Sequence, residues 1–148
     1  MKKKILIING PNINLLGERE QSQYGSLNLE SIERKCLEKS KELNIDINFK
    51  QSNIEGKIVD YIQESRNTYN GIIINAAGFT HTSVSIRDAL SILKIPIIEV
   101  HISNIYKREE FRHKSLLSDV VSGGIFGIGP ICYILAINAL HELIENGN

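Results

Sequence analysis

Short, near-continuous runs of Ile, Leu and Val recur along this chain, and they narrow its possible folds more than any other feature. ILII at 5–8, III at 72–74 and II-E-V at 97–100 are such runs. Strands buried on both faces of a parallel sheet have this composition, whereas half-exposed strands alternate apolar with polar residues. The spacing predicts strands over 4–9, 71–75 and 97–101, and a weaker one near 122–126. A fifth, over 45–50, alternates Ile45, Ile47 and Phe49 as an edge strand does. Amphipathic stretches lie between these runs. Leu29, Ile32, Cys36, Leu37 and Leu43 share one helical face over 29–43, and Ile58, Val59 and Ile62 do so over about 55–67. A third helix is expected over about 83–93, stopped before Pro96. A last one, over about 129–146, is apolar on most sides for its first three turns, which suits deep burial or a subunit contact.

Read together as five βα units without an internal repeat or linker, these elements predict an α/β protein with one catalytic domain over residues 1–148. The expected architecture is a flavodoxin-like, doubly wound five-stranded parallel sheet in three α/β/α layers. A length of 148 residues with 42% hydrophobic content is enough for one substantial core. Lys+Arg and Asp+Glu both number 17, so no positive excess favours nucleic acid or an anionic membrane as partner. Cys36 and Cys132 lack metal-site or redox spacing and read as buried reduced thiols, as in a cytosolic protein. The apolar run after MKKK ends at Asn9-Gly10-Pro11. It is too short for a signal peptide or a membrane span, so a cytoplasmic protein is expected.

Gly10 to Gly25, GPNINLLGEREQSQYG, is a long connection for a compact α/β unit, and loops of that length are usually functional. It carries Asn12, Asn14, Arg19 and Tyr24, and residues 17–25 read as an active-site lid. Ligands of open α/β sheets sit beyond the carboxyl ends of the strands. Those ends read Asn9-Gly10-Pro11-Asn12, Gln51-Ser52-Asn53, Asn75 to His81 and His101-Ile102-Ser103. An edge lined with amides, hydroxyls and two of the four histidines suits a small polyol.

Several common sites are missing. The chain has neither a phosphate-binding Gly-x-x-x-x-Gly-Lys-Ser/Thr loop nor Gly-x-Gly-x-x-Gly after the first strand. Gly123, Gly124, Gly127 and Gly129 come late and suit tight turns. No His-Glu-x-x-His or cysteine cluster points to a metal, no Gly-x-Ser-x-Gly elbow supports a hydrolase triad, and no lysine stands out as a Schiff-base nucleophile. A flavin electron carrier would need a Ser/Thr-rich phosphate turn in the first loop. A receiver-type signalling module would need acids where Asn9 and Asn75 stand.

Four blocks then carry a specific resemblance: GPNINLLGERE…YG, QSNIEGKIVDYI, INAAGFTHTSVSIRDAL and PIIEVHISNIYKREEFRHKSLLSDVVSGGIFGIG. In this order, from the first strand into the last helix, they resemble type II 3-dehydroquinate dehydratase. The resemblance implies a flavodoxin-like hydro-lyase that takes 3-dehydroquinate to 3-dehydroshikimate by anti-elimination through an enolate, in the shikimate or quinate pathway. It further implies no cofactor, no metal, no Schiff base, and a homododecamer built from trimers.

Dehydration beside a ketone needs a base for the α-proton, stabilisation of the enolate and an acid for the departing hydroxyl. By resemblance, Tyr24 is the base. A free phenol is mostly protonated at neutral pH, and Arg19 on the same loop would favour the phenolate by its charge, as could Arg108. Making the phenolate about a hundredfold more accessible takes roughly 2.7 kcal/mol. His101 matches the proton donor, with Glu99 two positions earlier on the same face of the strand to orient its ring. Asn12 matches the residue that holds a water against the enolate oxygen. Substrate binding falls by resemblance to Asn75, His81, Ile102, Ser103 and Arg112, with Asp88 reaching in from a neighbouring subunit. Backbone N–H groups of Ile102 and Ser103 would take the carboxylate and Arg112 the ring hydroxyls. His113 and His141 receive no role. Gln21-Ser22-Gln23, Ile54, Phe79 and Tyr106-Lys107 depart from the family's usual residues, and they bear on affinity and lid motion more than on the reaction.

Overall fold

The computed structural model describes residues 1–18 and 28–147. Five strands, β1 (Lys4–Asn9), β2 (Asp46–Gln51), β3 (Gly71–Asn75), β4 (Ile97–His101) and β5 (Gly123–Phe126), form one parallel sheet in the order β2-β1-β3-β4-β5. The four α-helices are α1 (Leu29–Leu43), α2 (Glu55–Ser65), α3 (Val84–Ile92) and α4 (Ile131–Glu145). This is the expected flavodoxin-like, three-layer arrangement.

Side chains of a strand alternate between faces, and the central Ile runs divide accordingly. Ile5, Ile7, Ile73, Ile98 and Val100 pack against Ile32 and Cys36 of α1 and Ala136, Ile137 and Leu140 of α4. Leu6, Ile8, Ile72, Ile74 and Ile97 pack on the other side against Ile58 and Ile62 of α2 and Ile86 and Leu90 of α3. β3 and β4 are buried throughout, while β2 and β5 alternate and lie at the two edges. Cys36 and Cys132 are free and buried, and burial pushes both thiols up to about 12.

Departures from the sequence reading are local. The fourth unit has no α-helix: β4 and β5 are joined by 3-10 turns at Ile105–Lys107 and Glu110–Arg112. Arg87 of α3 ties down that connection, donating to the Leu116 carbonyl at 2.8 Å and pairing with the Asp119 carboxylate. The last helix begins at Ile131, two residues later than expected, because Ile128 and Gly129 have φ of 60° and 78° and cannot belong to a right-handed helix. α2 ends at Ser65, short of Asn67. Elsewhere caps fix the ends: Asn28 Oδ1 accepts from Ser31 N at 2.8 Å for α1, and Ser83 Oγ from Ile86 N at 3.0 Å for α3.

β1 and β3 come together most closely where they leave the sheet. Gly10 N donates to Asn75 O at 2.7 Å. A Cβ on Gly10 would lie 2.4 Å from the Ala76 carbonyl oxygen, so this position admits no side chain. Among the described residues, no helix is long and apolar enough to cross a membrane.

Candidate active site

The carboxyl ends of β1, β3 and β4 surround a cleft of about 110 Å³. Asn12 and Ile13 form one wall, Asn75, Ala77 and Gly78 another, and His101 to Ser103 the third, with Arg108 and Arg112 completing the lining. Asn75 and His101 end β3 and β4, Ile102 and Ser103 follow at once, and short 3-10 turns after the strands carry or flank Asn12, Ala77, Arg108 and Arg112.

His101 and Glu99 are both buried and two residues apart on β4, which puts them on one face. His101 Nε2 lies 2.5 Å from Glu99 Oε2. The other carboxylate oxygen of Glu99 accepts from Ser115 Oγ at 3.0 Å. Both oxygens are thereby engaged, and the carboxylate holds the imidazole in one orientation at the cleft wall. His81 stacks on His101 with ring centroids 6.4 Å apart and planes 20° apart. Its Nδ1 lies 2.8 Å from the Lys114 carbonyl, which can only accept, so Nδ1 carries the hydrogen. Burial lowers the pKa of His81, and the nearby His101 and Arg112 add to this, against the raising effect of the Lys114 carbonyl. A neutral His81 thus keeps Nε2 as an acceptor.

Ile102 contributes backbone rather than side chain. Its side chain is packed in the core. The carbonyls of Ile102 and Ser103 accept from Gly129 N at 3.1 Å and Gly127 N at 3.0 Å. Among the described residues, the amides of Ile102 and Ser103 donate to no acceptor, so two buried N–H groups remain at the cleft. Arg108 Nη1 reaches Ser103 Oγ at 3.4 Å. Arg112 Nε donates to Glu109 Oε1 at 3.1 Å, which tethers the guanidinium.

Asn12 adopts a left-handed conformation with φ of 71°, which Asn tolerates better than most residues. Its amide donates to Asn53 Oδ1 at 2.9 Å. Gln51 Nε2 adds bonds to Gly10 O at 3.2 Å and Asn53 Oδ1 at 3.3 Å. The end of β2 therefore clamps the start of the loop after β1.

Of the residues singled out from the sequence, Asn12, Asn75, His101, Ile102, Ser103, Arg108 and Arg112 line the cleft. Glu99 backs His101 and His81 stacks beside it. Asp88 is exposed on α3 and does not line this chain's cleft. Arg19, Tyr24 and the lid over 17–25, from residue 19 onward, lie outside the described residues, as do Gln21-Ser22-Gln23. Ile54, Phe79 and Tyr106-Lys107 do not line the cleft; Tyr106 instead packs on Phe126 with ring centroids 5.0 Å apart.

Sequence reasoning missed three contributors. Ser115 holds Glu99, and no sequence signal marked it. Asn53 clamps Asn12 from an edge strand end that had been noted only for its polarity. Tyr133, wholly buried in α4, donates to Asn9 Oδ1 at 2.5 Å and accepts from Asn75 Nδ2 at 3.0 Å. A hydroxyl in the otherwise apolar first two turns of that helix was the available signal, since a buried tyrosine seeks a partner for its polar tip.

The β2-β1-β3-β4-β5 order and the polar cleft at its carboxyl edge define a flavodoxin-like α/β enzyme architecture. Comparison with known proteins makes this specific. A family model described as Dehydroquinase class II matches residues 3–141. The chain is 54% identical over 142 residues to the 3-dehydroquinate dehydratase of Endomicrobium trichonymphae, covering 96% of this chain and 99% of that protein. The 3-dehydroquinate dehydratase of Campylobacter jejuni subsp. jejuni is 53% identical over 142 residues, covering 96% of this chain and 89% of that one. The crystal structure of type II dehydroquinase from Butyrivibrio crossotus superposes with a TM-score of 0.92 at 49% identity, covering 94% of this chain and 97% of the other. The chain belongs to the class II dehydroquinase family.

Proposed function

We propose that this chain dehydrates 3-dehydroquinate to 3-dehydroshikimate by anti-elimination through an enolate, in the shikimate or quinate pathway. The observation that carries the reading is the cleft itself. A carboxylate-held imidazole, two unused backbone amides and two guanidinium groups converge on a space of about 110 Å³ in a class II dehydroquinase fold. Tyr24 takes the C2 proton, and Arg19 favours its phenolate by charge, with Arg108 adding to the positive field. A water held at Asn12 meets the enolate oxygen, a neutral hydrogen-bonding solution to charge stabilisation. His101 gives a proton to the hydroxyl leaving C1. The short contact to Glu99 supports that role, because the carboxylate fixes the ring and complements an imidazolium.

The amides of Ile102 and Ser103 bind the substrate carboxylate, while Asn75, His81 and Arg112 bind the ring oxygens. In this chemistry no step needs a metal, a cofactor or a lysine imine. The purified protein is expected to form a conjugated enone, followed by its ultraviolet absorbance, from 3-dehydroquinate at a rate unchanged by EDTA and not lost after borohydride. Absence of turnover would sink the reading, and borohydride inactivation would replace it with a Schiff-base mechanism.

The assembly reading is a homododecamer of trimers, in which Asp88 completes a neighbour's site. Its support is apolar surface: Ile128, Ile131 and Leu135 near the start of α4, and Val84 and Ile92 on α3, are exposed in the single chain. Asp88→Ala is expected to raise KM by roughly three- to tenfold, the effect of one lost hydrogen bond to substrate, with kcat little changed. Light scattering on the same samples should report twelve chains. A monomer of full activity, or an Asp88→Ala protein with unchanged KM, contradicts this placement.

A further inference from the structure

Tyr133 is the largest fully buried polar-tipped side chain of the core, and its hydroxyl bonds to Asn75, which lines the cleft. Its partners, Asn9 and Asn75, are the last residues of β1 and β3. The direction of each hydrogen bond in this chain of groups follows from one fixed donor. Ala77 N, a backbone amide that can only donate, lies 3.2 Å from Asn75 Oδ1. The carboxamide oxygen must therefore face Ala77, and Nδ2 must face Tyr133. The Tyr133 oxygen accepts from Nδ2 at 3.0 Å, so its single hydrogen goes to Asn9 Oδ1 at 2.5 Å. Burial pushes the Tyr133 pKa well above the ordinary phenol range, so this hydrogen is present at every working pH. One Nδ2–H of Asn75 remains. It has no acceptor among the described residues, and Asn75 lines the cleft.

We propose that Tyr133 is a positioning residue that locks the Asn75 carboxamide in the orientation presenting an N–H donor, not an acceptor, to the substrate. A phenylalanine would fill the same volume but leave the amide held only by Ala77, whose φ of 53° places it on a turn rather than a strand. The amide would then be free to rotate, and a ligand oxygen would meet its donor for only part of the time. The role rests on the activity proposed above, since the ligand oxygen is the substrate's.

The test is a double-mutant cycle in the turnover assay, with circular dichroism to establish folding. Tyr133→Phe is expected to raise KM roughly three- to tenfold, the effect of one misplaced hydrogen bond, while kcat stays within about twofold. Asn75→Ala raises KM as well, and adding Tyr133→Phe to it changes KM no further. Asn9→Ala removes the acceptor for the Tyr133 hydrogen without touching the cleft lining, and it is expected to reproduce the KM effect; it carries the cycle if Tyr133→Phe fails to fold. A folded Tyr133→Phe protein with wild-type KM, or effects that multiply in the double variant, overturns the inference. A second readout does not depend on activity. By NMR of the wild-type protein, one Asn75 side-chain amide proton should exchange slowly with solvent, and fast exchange of both overturns the lock. A wild-type protein without turnover fails the activity reading alone, and the exchange measurement then decides the role of Tyr133.

Discussion

Gly10→Ala is expected to lower the thermal midpoint by about 10 °C, the consequence of roughly 3 kcal/mol of overpacking in a domain of this size. The added Cβ would sit 2.4 Å from Ala76 O and 2.7 Å from Ala76 C. Both are backbone atoms of the segment leaving β3, so no rotamer change relieves the contact. Relief requires the ends of β1 and β3 to separate, which breaks the 2.7 Å bond from Gly10 N to Asn75 O. That movement also pulls Asn9 away from Tyr133 and displaces Asn12, so residual folded protein should show a raised KM. Thermal denaturation followed by circular dichroism checks the first part. A midpoint within about 2 °C of wild type, less than 1 kcal/mol for a chain of this length, would mean that the strand ends yield cheaply.

Tyr24→Phe is expected to cut kcat by about 10²–10⁴-fold, the usual contribution of a positioned general base. At a thousandfold the loss corresponds to about 4 kcal/mol of transition-state stabilisation. The substitution removes one oxygen and keeps the ring, so whatever apolar contact the residue makes with substrate survives. Binding of 3-dehydroquinate, measured by calorimetry, should therefore change little, and the variant should act as a binding-competent, turnover-deficient protein. A variant of near-normal activity would show that another group removes the proton, and the base would have to be sought among the cleft residues themselves. Weakened binding with intact kcat would instead make Tyr24 a binding residue.

Much of the fold was readable from local patterns. The boundaries of β1, β3, β4 and α1 follow from where Ile runs meet Asn, Gly or His and where one helical face ends. β2 declared itself an edge strand through Ile47 and Phe49, because an uncovered strand face keeps polar residues. The β4–β5 stretch shows no helical pattern in the sequence, although a parallel crossover usually carries a helix. Here short turns suffice, with Arg87 and the Thr80 carbonyl, which accepts from Leu116 N at 2.9 Å, holding the chain in place. For the site, polar residues at three strand ends marked the right edge of the sheet, and the four matched blocks gave them expected roles. Ser115 was silent, since a serine in a turn-rich stretch has no pattern that ties it to Glu99.

The sequence alone determined the parallel sheet, its buried strands, one of its two edge strands and the edge at which polar groups collect. These are consequences of periodicity and strand termini, which are properties of neighbours along the chain. Only the tertiary structure decided that Gly10 must lack a side chain, that Asn53 clamps Asn12, and that Tyr133 joins Asn9 and Asn75 across separations of 124 and 58 residues. Hydrogen bonds and close contacts of this kind depend on distances of a few ångström between segments remote in sequence. No local pattern encodes those distances, and packing the two faces of the sheet sets them.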